Sequence, residues 1–245
     1  MHKVFLFFLL SLPLLGSLTA CESEPVAPQD ERLNKQHEDP TKAEFILTKG
    51  YLTTNKSPNA LLFDKYPRRS QFVATAPPQV LTKVITKDIG WHLAPGSIEA
   101  FVVGNTLREP ENVYRLDINY YNIDGELMNQ QFIENGQEKI HQHFFSYYQN
   151  DVRINKPELL PFQYVYADED KQGNYTAVSS PLGFTGFVRF TGPNGAYTLT
   201  VDLMHAIDSK YDKQGKVSPF YAPSAAQIGR ALWDISTDLP FQVKS

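Results

Sequence analysis

The chain has 245 residues, of which 42% are hydrophobic and 13% aromatic, so it can fill a packed core and global disorder is excluded. Its net charge of −4 gives no general attraction to nucleic acid, which needs clustered Lys and Arg, and we expect no nucleic-acid partner. A single cysteine allows neither an intrachain disulfide nor a cysteine-based zinc site.

The first residues are typical of an export signal. A short basic start, Met1–Lys3, precedes an apolar run, Val4–Leu15, which is too short to span a bilayer but suits a signal peptide. The following Leu18-Thr19-Ala20-Cys21 resembles the lipobox of bacterial lipoproteins. The resemblance implies a signal peptide over 1–20, acylation of Cys21 with palmitate-type chains, and a lipid anchor in the outer membrane. An ordinary signal peptide with a chance cysteine is the alternative.

Residues 21–43 predict a flexible tether after the lipidated cysteine. The segment is charged, contains prolines and has few large apolar residues, so it cannot bury enough surface to fold. Glu22 and Glu24 are similar to the export tags of surface lipoproteins in the Bacteroidetes. That similarity implies a cell-surface protein that accompanies an outer-membrane receptor, while the periplasmic face stays open as the other location.

Residues 44–245 predict an all-β domain. Along Val113–Tyr121 apolar and polar side chains alternate, which indicates a half-buried antiparallel strand. Asp124-Gly125 then predicts a hairpin turn, with Glu126–Phe132 as the returning strand. A second hairpin is expected from Gly183–Phe190 and Ala196–Met204.

Six further strands and one short helix complete the predicted elements. The helix is expected near Pro223–Leu232 with Ser224 as its N-cap. Many short strands with regular turns favour an antiparallel β-sandwich, either one body or two related halves, 44–150 and 151–245. The strands are expected at Glu44–Lys49, Val80–Thr86, Ile98–Val103, Lys139–Tyr147, Phe162–Tyr166 and Leu232–Val243, the last with Trp233, Ile235 and Leu239 in phase.

Standard catalytic motifs are absent from the sequence, and its only thiol is the predicted lipidation site, so we expect a non-enzymatic protein. Asp168 to Gly173 partly matches a calcium-binding loop, with acids at the first and third positions and glycine at the sixth. The twelfth position is Ser179 instead of a bidentate glutamate. We therefore interpret this segment as an acidic, solvated turn.

The sequence His141-Gln142-His143 is the strongest chemical signal. In a strand, residues i and i+2 lie on one face, so both imidazoles can approach one ion. Imidazole suits zinc, copper or haem iron. We predict His141 and His143 as ligands, with His205 as the first candidate for a third and His92 as the second. The alternative is an ordinary polar face of a surface strand.

Adjacent aromatic pairs support a competing interpretation. In a strand, one member of each pair points away from the core, and Tyr121 and Phe145 are candidates to stack on sugars or to bind a protein. Two functional hypotheses follow. The first is an envelope-anchored module that captures a transition metal or haem. The second is a glycan-binding, protein-binding or structural surface lipoprotein without metal.

Overall fold

Short strands make up most of the structure, a computed structural model that describes residues 37–53, 67–106, 113–170 and 172–244. The predicted signal peptide, Cys21 and the first part of the predicted tether, up to residue 36, lie outside the described residues. The strands are β1 (Lys42–Leu52), β2 (Phe72–Ala74), β3 (Gln79–Thr86), β4 (Gly90–Leu93), β5 (Phe101–Gly104), β6 (Val113–Tyr121), β7 (His141–Gln149), β8 (Val152–Arg153), β9 (Phe162–Tyr166), β10 (Thr185–Phe190), β11 (Gly195–Ala206) and β12 (Ala231–Lys244).

Helices are few and short. Strands take up 49% of the described residues and no described helix reaches seven residues, which confirms the all-β prediction. The one α-helix among the described residues, α1 (Ala225–Arg230), begins where predicted: the Ser224 side chain accepts a hydrogen bond from the Gln227 backbone amide. Short 3₁₀ segments lie at Arg69–Gln71, Asn129–Phe132, Glu134–Lys139 and Pro157–Leu159. Within the described residues, no helix is both long and apolar enough to cross a bilayer.

The strands form two sheets that enclose one core. The first sheet has the order β4-β3-β1-β6-β10-β9, with β2 beside β1, and the second has the order β5-β12-β11-β7-β8. All pairings are antiparallel except β5 with β12. Inward side chains of both sheets meet in one apolar cluster, as for Phe45 and Ile118 of the first sheet and Val201 and Leu239 of the second. The arrangement is the β-sandwich type that the sequence predicts, and all described residues belong to one unit, Gln36–Ser245.

The first predicted hairpin closes with a single antiparallel bridge, between Tyr121 and Leu127, and the returning strand predicted over Glu126–Phe132 does not form. Asn122 to Gly125 do form the turn, and its Asn122 side chain accepts hydrogen bonds from two following amides. The chain then enters helical turns, because the Asn129 side chain takes the place of a returning strand. Its amide oxygen accepts from the Tyr120 backbone and its amide nitrogen donates to Ile118. The edges of β6 are instead paired with β1 and β10.

The second predicted hairpin is wrong. Strands β10 and β11 follow one another in sequence but belong to different sheets, with β10 between β6 and β9, and β11 between β7 and β12. Side chains of β10 are buried on both faces, as expected for an internal strand. The turn between β10 and β11 therefore carries the chain across the sandwich instead of closing a hairpin.

Candidate metal centre

Three neighbouring strands of the second sheet bring two histidines and an aspartate into one row. His141 of β7 lies directly opposite His205 of β11. On the other side of β11, Leu203 pairs with Ile235 while Met204 pairs with Trp233, so Asp234 is an extra residue in β12. Such a bulge redirects a side chain. It turns Asp234 towards the two histidines and places Trp233 on the opposite face against Phe144, so the prediction that Trp233 is in phase with Ile235 is wrong.

His37 completes the cluster from outside the sheet. It lies five residues before the start of β1, at the N-terminal edge of the described residues. Its ring contacts the Phe132 ring at a centroid distance of 4.5 Å, and Phe132 also makes an edge contact with His141 at 5.1 Å. Phe132 comes from the 3₁₀ segment that replaces the predicted returning strand. This segment therefore provides an apolar wall for the cluster.

The four donor atoms lie at the corners of a nearly regular tetrahedron. The three imidazole nitrogens, Nε2 of His37, Nε2 of His141 and Nδ1 of His205, are 3.1–3.2 Å apart. The Asp234 Oδ2 atom lies 3.3 Å from the first two nitrogens and 3.5 Å from the third. Ligands about 2.0–2.1 Å from a central zinc ion form a tetrahedron with edges of about 3.3–3.4 Å. The His-His-His-Asp group could therefore hold one metal ion such as zinc or copper.

Hydrogen bonds to backbone carbonyls set the tautomers of two ligands. The Nδ1 atom of His37 lies 2.9 Å from the Glu38 carbonyl oxygen, and that of His141 lies 2.9 Å from the Gln137 carbonyl oxygen. Because a carbonyl only accepts, each Nδ1 carries the proton, and in the neutral ring Nε2 presents a lone pair. Two lone pairs and a carboxylate oxygen thus point at one another. A cation placed among these atoms could be bound by all of them, and such carbonyl partners are usual behind metal-bound histidines.

The cluster is closed to solvent on most sides. The side chains of His37, His141 and Asp234 are fully buried, and that of His205 is 12% exposed. Burial lowers the pKa of His141 below its ordinary value, and the neighbouring Asp234 partly opposes this effect. A lowered pKa keeps the imidazole neutral, which is the form that binds metal.

His143 is not part of the cluster, which corrects its prediction as a metal ligand. Its Nδ1 donates to the Leu182 carbonyl at 2.7 Å, so its Nε2 accepts from the Tyr120 hydroxyl, also at 2.7 Å. Both ring nitrogens are thus engaged by protein groups. Complete burial lowers the pKa of His143 to about 3, although the hydrogen bond to Leu182 acts in the opposite direction. His143 is a neutral structural residue of the core.

The remaining predicted binding residues have other partners. His92, in β4, places its Nδ1 atom 2.9 Å from the Gly90 carbonyl and is outside the cluster. The Tyr121 hydroxyl donates to Glu44, and its half-buried ring lies beneath the Lys42 ammonium. Phe145 is 1% exposed, so it is a core residue and offers no surface to a ligand.

In the acidic segment that partly matches a calcium loop, the turn that follows Asp170 is exposed, as expected of a solvated turn, but the first acid is not. Asp168 is buried, and its carboxylate accepts hydrogen bonds from the backbone amides of Leu182, Gly183 and Thr185. Burial raises the pKa of Asp168, while these bonds oppose the rise. Its role is to hold the chain that enters β10 beside His143.

Two members of the cluster, His37 and Asp234, are not among the predicted ligands. His37 falls in the predicted tether, and only its position just before β1 could have drawn attention to it. Asp234 stands between Trp233 and Ile235, where a carboxylate interrupts an apolar strand, and this interruption is the signal available in the sequence. Comparisons with protein-family models, with curated proteins and with solved structures found no match.

Proposed function

We propose that this chain is a metal-binding protein that holds one Zn²⁺ ion through His37, His141, His205 and Asp234. The observation that carries the proposal is the set of six donor distances, all between 3.1 and 3.5 Å. Three imidazoles and a carboxylate suit several divalent ions, but Cu²⁺ favours square-planar or tetragonal ligands and zinc a tetrahedron. The short distances between donors leave room for a single ion and not for a haem macrocycle.

The ligand number supports capture or structural stabilisation over catalysis. Catalytic zinc sites keep one coordination position for water or substrate, whereas structural sites fill all four with protein atoms. Here four protein donors supply a complete tetrahedron, and the buried ring of Phe132 lies against two of them. We therefore propose a capture or structural role for the ion.

Metal binding is best tested with calorimetry on the full chain carrying Cys21→Ser, after metal removal. We expect one Zn²⁺ per chain, and Co²⁺ in the same site should give the intense visible absorption of a tetrahedral complex. His141→Ala should weaken binding strongly. Absence of saturable binding below about 100 μM, or identical binding by His141→Ala, would overturn the proposal.

We further propose that the metal site is held at the cell envelope through a lipid on Cys21. The support is the resemblance of Leu18-Thr19-Ala20-Cys21 to a lipobox, with Cys21 as the single cysteine of the chain. Several acyl chains anchor a protein stably. Cys21→Ser should move the protein from the membrane fraction to the soluble fraction of cells. Retention of the variant in membranes, with no uptake of labelled fatty acid by the original chain, would contradict the anchor.

A further inference from the structure

The four ligands differ in how firmly the fold holds them. His141, His205 and Asp234 belong to adjacent strands, and β11, in the middle, is hydrogen-bonded to β7 on one side and to β12 on the other. His37 belongs to the segment His37–Pro40, which precedes the first strand and which we name the strap. The His37 imidazole therefore links the segment that precedes β1 of the first sheet to His141, His205 and Asp234 of the second sheet.

The strap has weaker holds besides its histidine. The Glu38 backbone amide donates to the Gln131 side chain at 2.9 Å, and the Glu38 carboxylate accepts from Asn122 at 3.1 Å. Glu38 and Asp39 are exposed, so water competes for these hydrogen bonds, and Pro40 is the one buried residue of the strap besides His37. From Thr41 onward the chain is fixed more firmly, because the Thr41 amide donates to Tyr121 where the β1 ladder begins.

Metal loss removes the positive charge that would hold these four donor atoms together. The Nε2 lone pairs of His37 and His141 then face each other at 3.2 Å, and both lie 3.3 Å from a buried carboxylate oxygen. Displacing a strand ligand would break a sheet ladder, whereas displacing His37 moves a chain segment ahead of the ladder. Local opening follows the route with the fewest buried contacts.

We propose that the bound metal ion fastens the strap to the second sheet, and that loss of the ion releases it. This inference rests on the proposed metal site. With metal, the strap is fixed to the described body; without metal, Thr41 is the first residue that the sheet holds in place. The four released residues can extend the preceding chain by about 13–14 Å. In a protein anchored at Cys21, metal occupancy would therefore set the length of chain between membrane and body.

Release of the strap also opens the metal centre. It leaves His141, His205 and Asp234 as three ligands with a vacant fourth position. A site with an open position exchanges its fourth ligand readily, whereas a closed tetrahedral site does not. The strap is thus the side from which the ion enters and leaves.

Hydrogen exchange on the full chain carrying Cys21→Ser tests the strap directly. Amides of residues 38 and 39 should exchange at least about tenfold more slowly with saturating Zn²⁺ than without metal, because binding closes a locally opening segment. Amides in the middle of β10 should not change. The Zn²⁺ affinity and stoichiometry are measured by calorimetry on the same sample.

Two variants that each lose one imidazole separate the strap from general metal effects. At saturating Zn²⁺, His205→Ala should keep the protection of residues 38 and 39, because His37 still reaches the ion. His37→Ala should lose that protection although Zn²⁺ remains bound by the other three ligands. Metal-dependent protection in His37→Ala would overturn the inference.

Calorimetry distinguishes failure of this inference from failure of the proposed function. Stoichiometric Zn²⁺ binding with equal exchange of residues 38 and 39 in both states would refute the strap and leave the metal site standing. Absence of Zn²⁺ binding would refute the metal site itself, and the strap inference with it.

Discussion

His141 and His143 lie two residues apart on one face of β7, and both are buried, yet their surroundings give them different roles. Both nitrogens of His143 are occupied by the Leu182 carbonyl and the Tyr120 hydroxyl. In His141 only Nδ1 is occupied, by the Gln137 carbonyl, and Nε2 faces two imidazoles and a carboxylate. Two histidines on one strand face therefore need not bind the same ion. The group that faces Nε2 of each histidine determines whether that nitrogen is available to a metal.

Strand dimensions explain which histidine His141 meets. Along a strand, side chains on one face are about 7 Å apart, while directly opposite residues of antiparallel strands have Cβ atoms about 4.5–5.5 Å apart. The cross-strand partner His205 is consequently closer than His143. The lesson is that a metal pair in a sheet is better sought across neighbouring strands than along one.

The largest contrast is expected between alanine variants at these two positions. His141→Ala removes one of the four proposed metal ligands. The free energy of zinc binding at structural sites is typically about 10–16 kcal/mol, so one ligand of four accounts for about 3 kcal/mol. The Zn²⁺ affinity should therefore fall about 100-fold or more. His143→Ala should change the affinity only a few-fold. It should instead lower the free energy of unfolding by about 3–5 kcal/mol, because it leaves a cavity and the unpaired Tyr120 hydroxyl.

Calorimetry and urea unfolding of the metal-free proteins measure the two effects separately. Metal-free His141→Ala should lose less stability than His143→Ala, because the cavity and the unpaired Gln137 carbonyl that it leaves are partly offset by relief of the close contact with Asp234. Similar losses of Zn²⁺ affinity in both variants would show that the two histidines act as one unit and would contradict the assignment of separate roles.

Gly183, beside His143, should be the next most sensitive position. Its φ is +92°, and an added Cβ would lie 2.7 Å from the His143 Cβ. Gly183→Ala combines backbone strain of about 1–2 kcal/mol with overpacking of about 1–3 kcal/mol, so the free energy of unfolding should fall by about 2–5 kcal/mol. Denaturant unfolding gives the value, and Zn²⁺ affinity of the folded protein should be retained.

Gly173→Ala is a matched control for Gly183→Ala. Gly173 also has a positive φ, +79°, but an added Cβ would have no neighbour within 4 Å. It should therefore show the strain alone, about 1 kcal/mol. Equal destabilisation by the two variants would mean that close contact with His143 has no cost.

Sequence patterns predict the strands better than their pairing. The bounds of β6 and β9 match the predicted strands Val113–Tyr121 and Phe162–Tyr166. In a half-buried strand, apolar residues on the buried face alternate with polar residues on the other face, and this alternation is visible in the sequence. Pairing depends on contacts far apart in the chain. The Asn129 side chain, which replaces a strand along part of β6, is one example.

The metal cluster is predictable only in part for a related reason. His141 and His205 are found from residue type and strand position. Asp234 enters the site through a bulge, and alternation assumes that no residue is extra. His37 enters through a segment with no periodicity, so nothing local relates it to residues more than one hundred positions away.

Acidification should weaken metal binding without involving His143. Protons compete with Zn²⁺ for imidazole nitrogens, so the affinity should fall as the pH is lowered. Burial lowers the pKa of His141, which delays its protonation to lower pH. Between about pH 7.5 and pH 5.5 we expect a loss of about tenfold or more in the calorimetric affinity.

The slope of this pH dependence should be the same in His143→Ala. The pKa of His143 is lowered to about 3, so this residue stays neutral throughout the range. A slope that becomes shallower in the variant would assign to His143 one of the protons that compete with the metal.

The smallest effect is expected at His92, which makes it the reference for the whole cluster. The sequence ranks His92 with His205 as a source of a third ligand, and both lie on strands. The structure separates them: His205 is 3.1 Å from His141, whereas the His92 ring is hydrogen-bonded to the Gly90 carbonyl in the first sheet.

His92→Ala should leave Zn²⁺ affinity and stoichiometry unchanged. His205→Ala removes the same atoms and should weaken binding about 100-fold. Calorimetry of both variants tests whether Zn²⁺ binding depends on the position of the histidine and not only on the number of histidines. A large loss in His92→Ala would mean that metal binds through exposed histidines in general and would remove the basis for a defined tetrahedral centre.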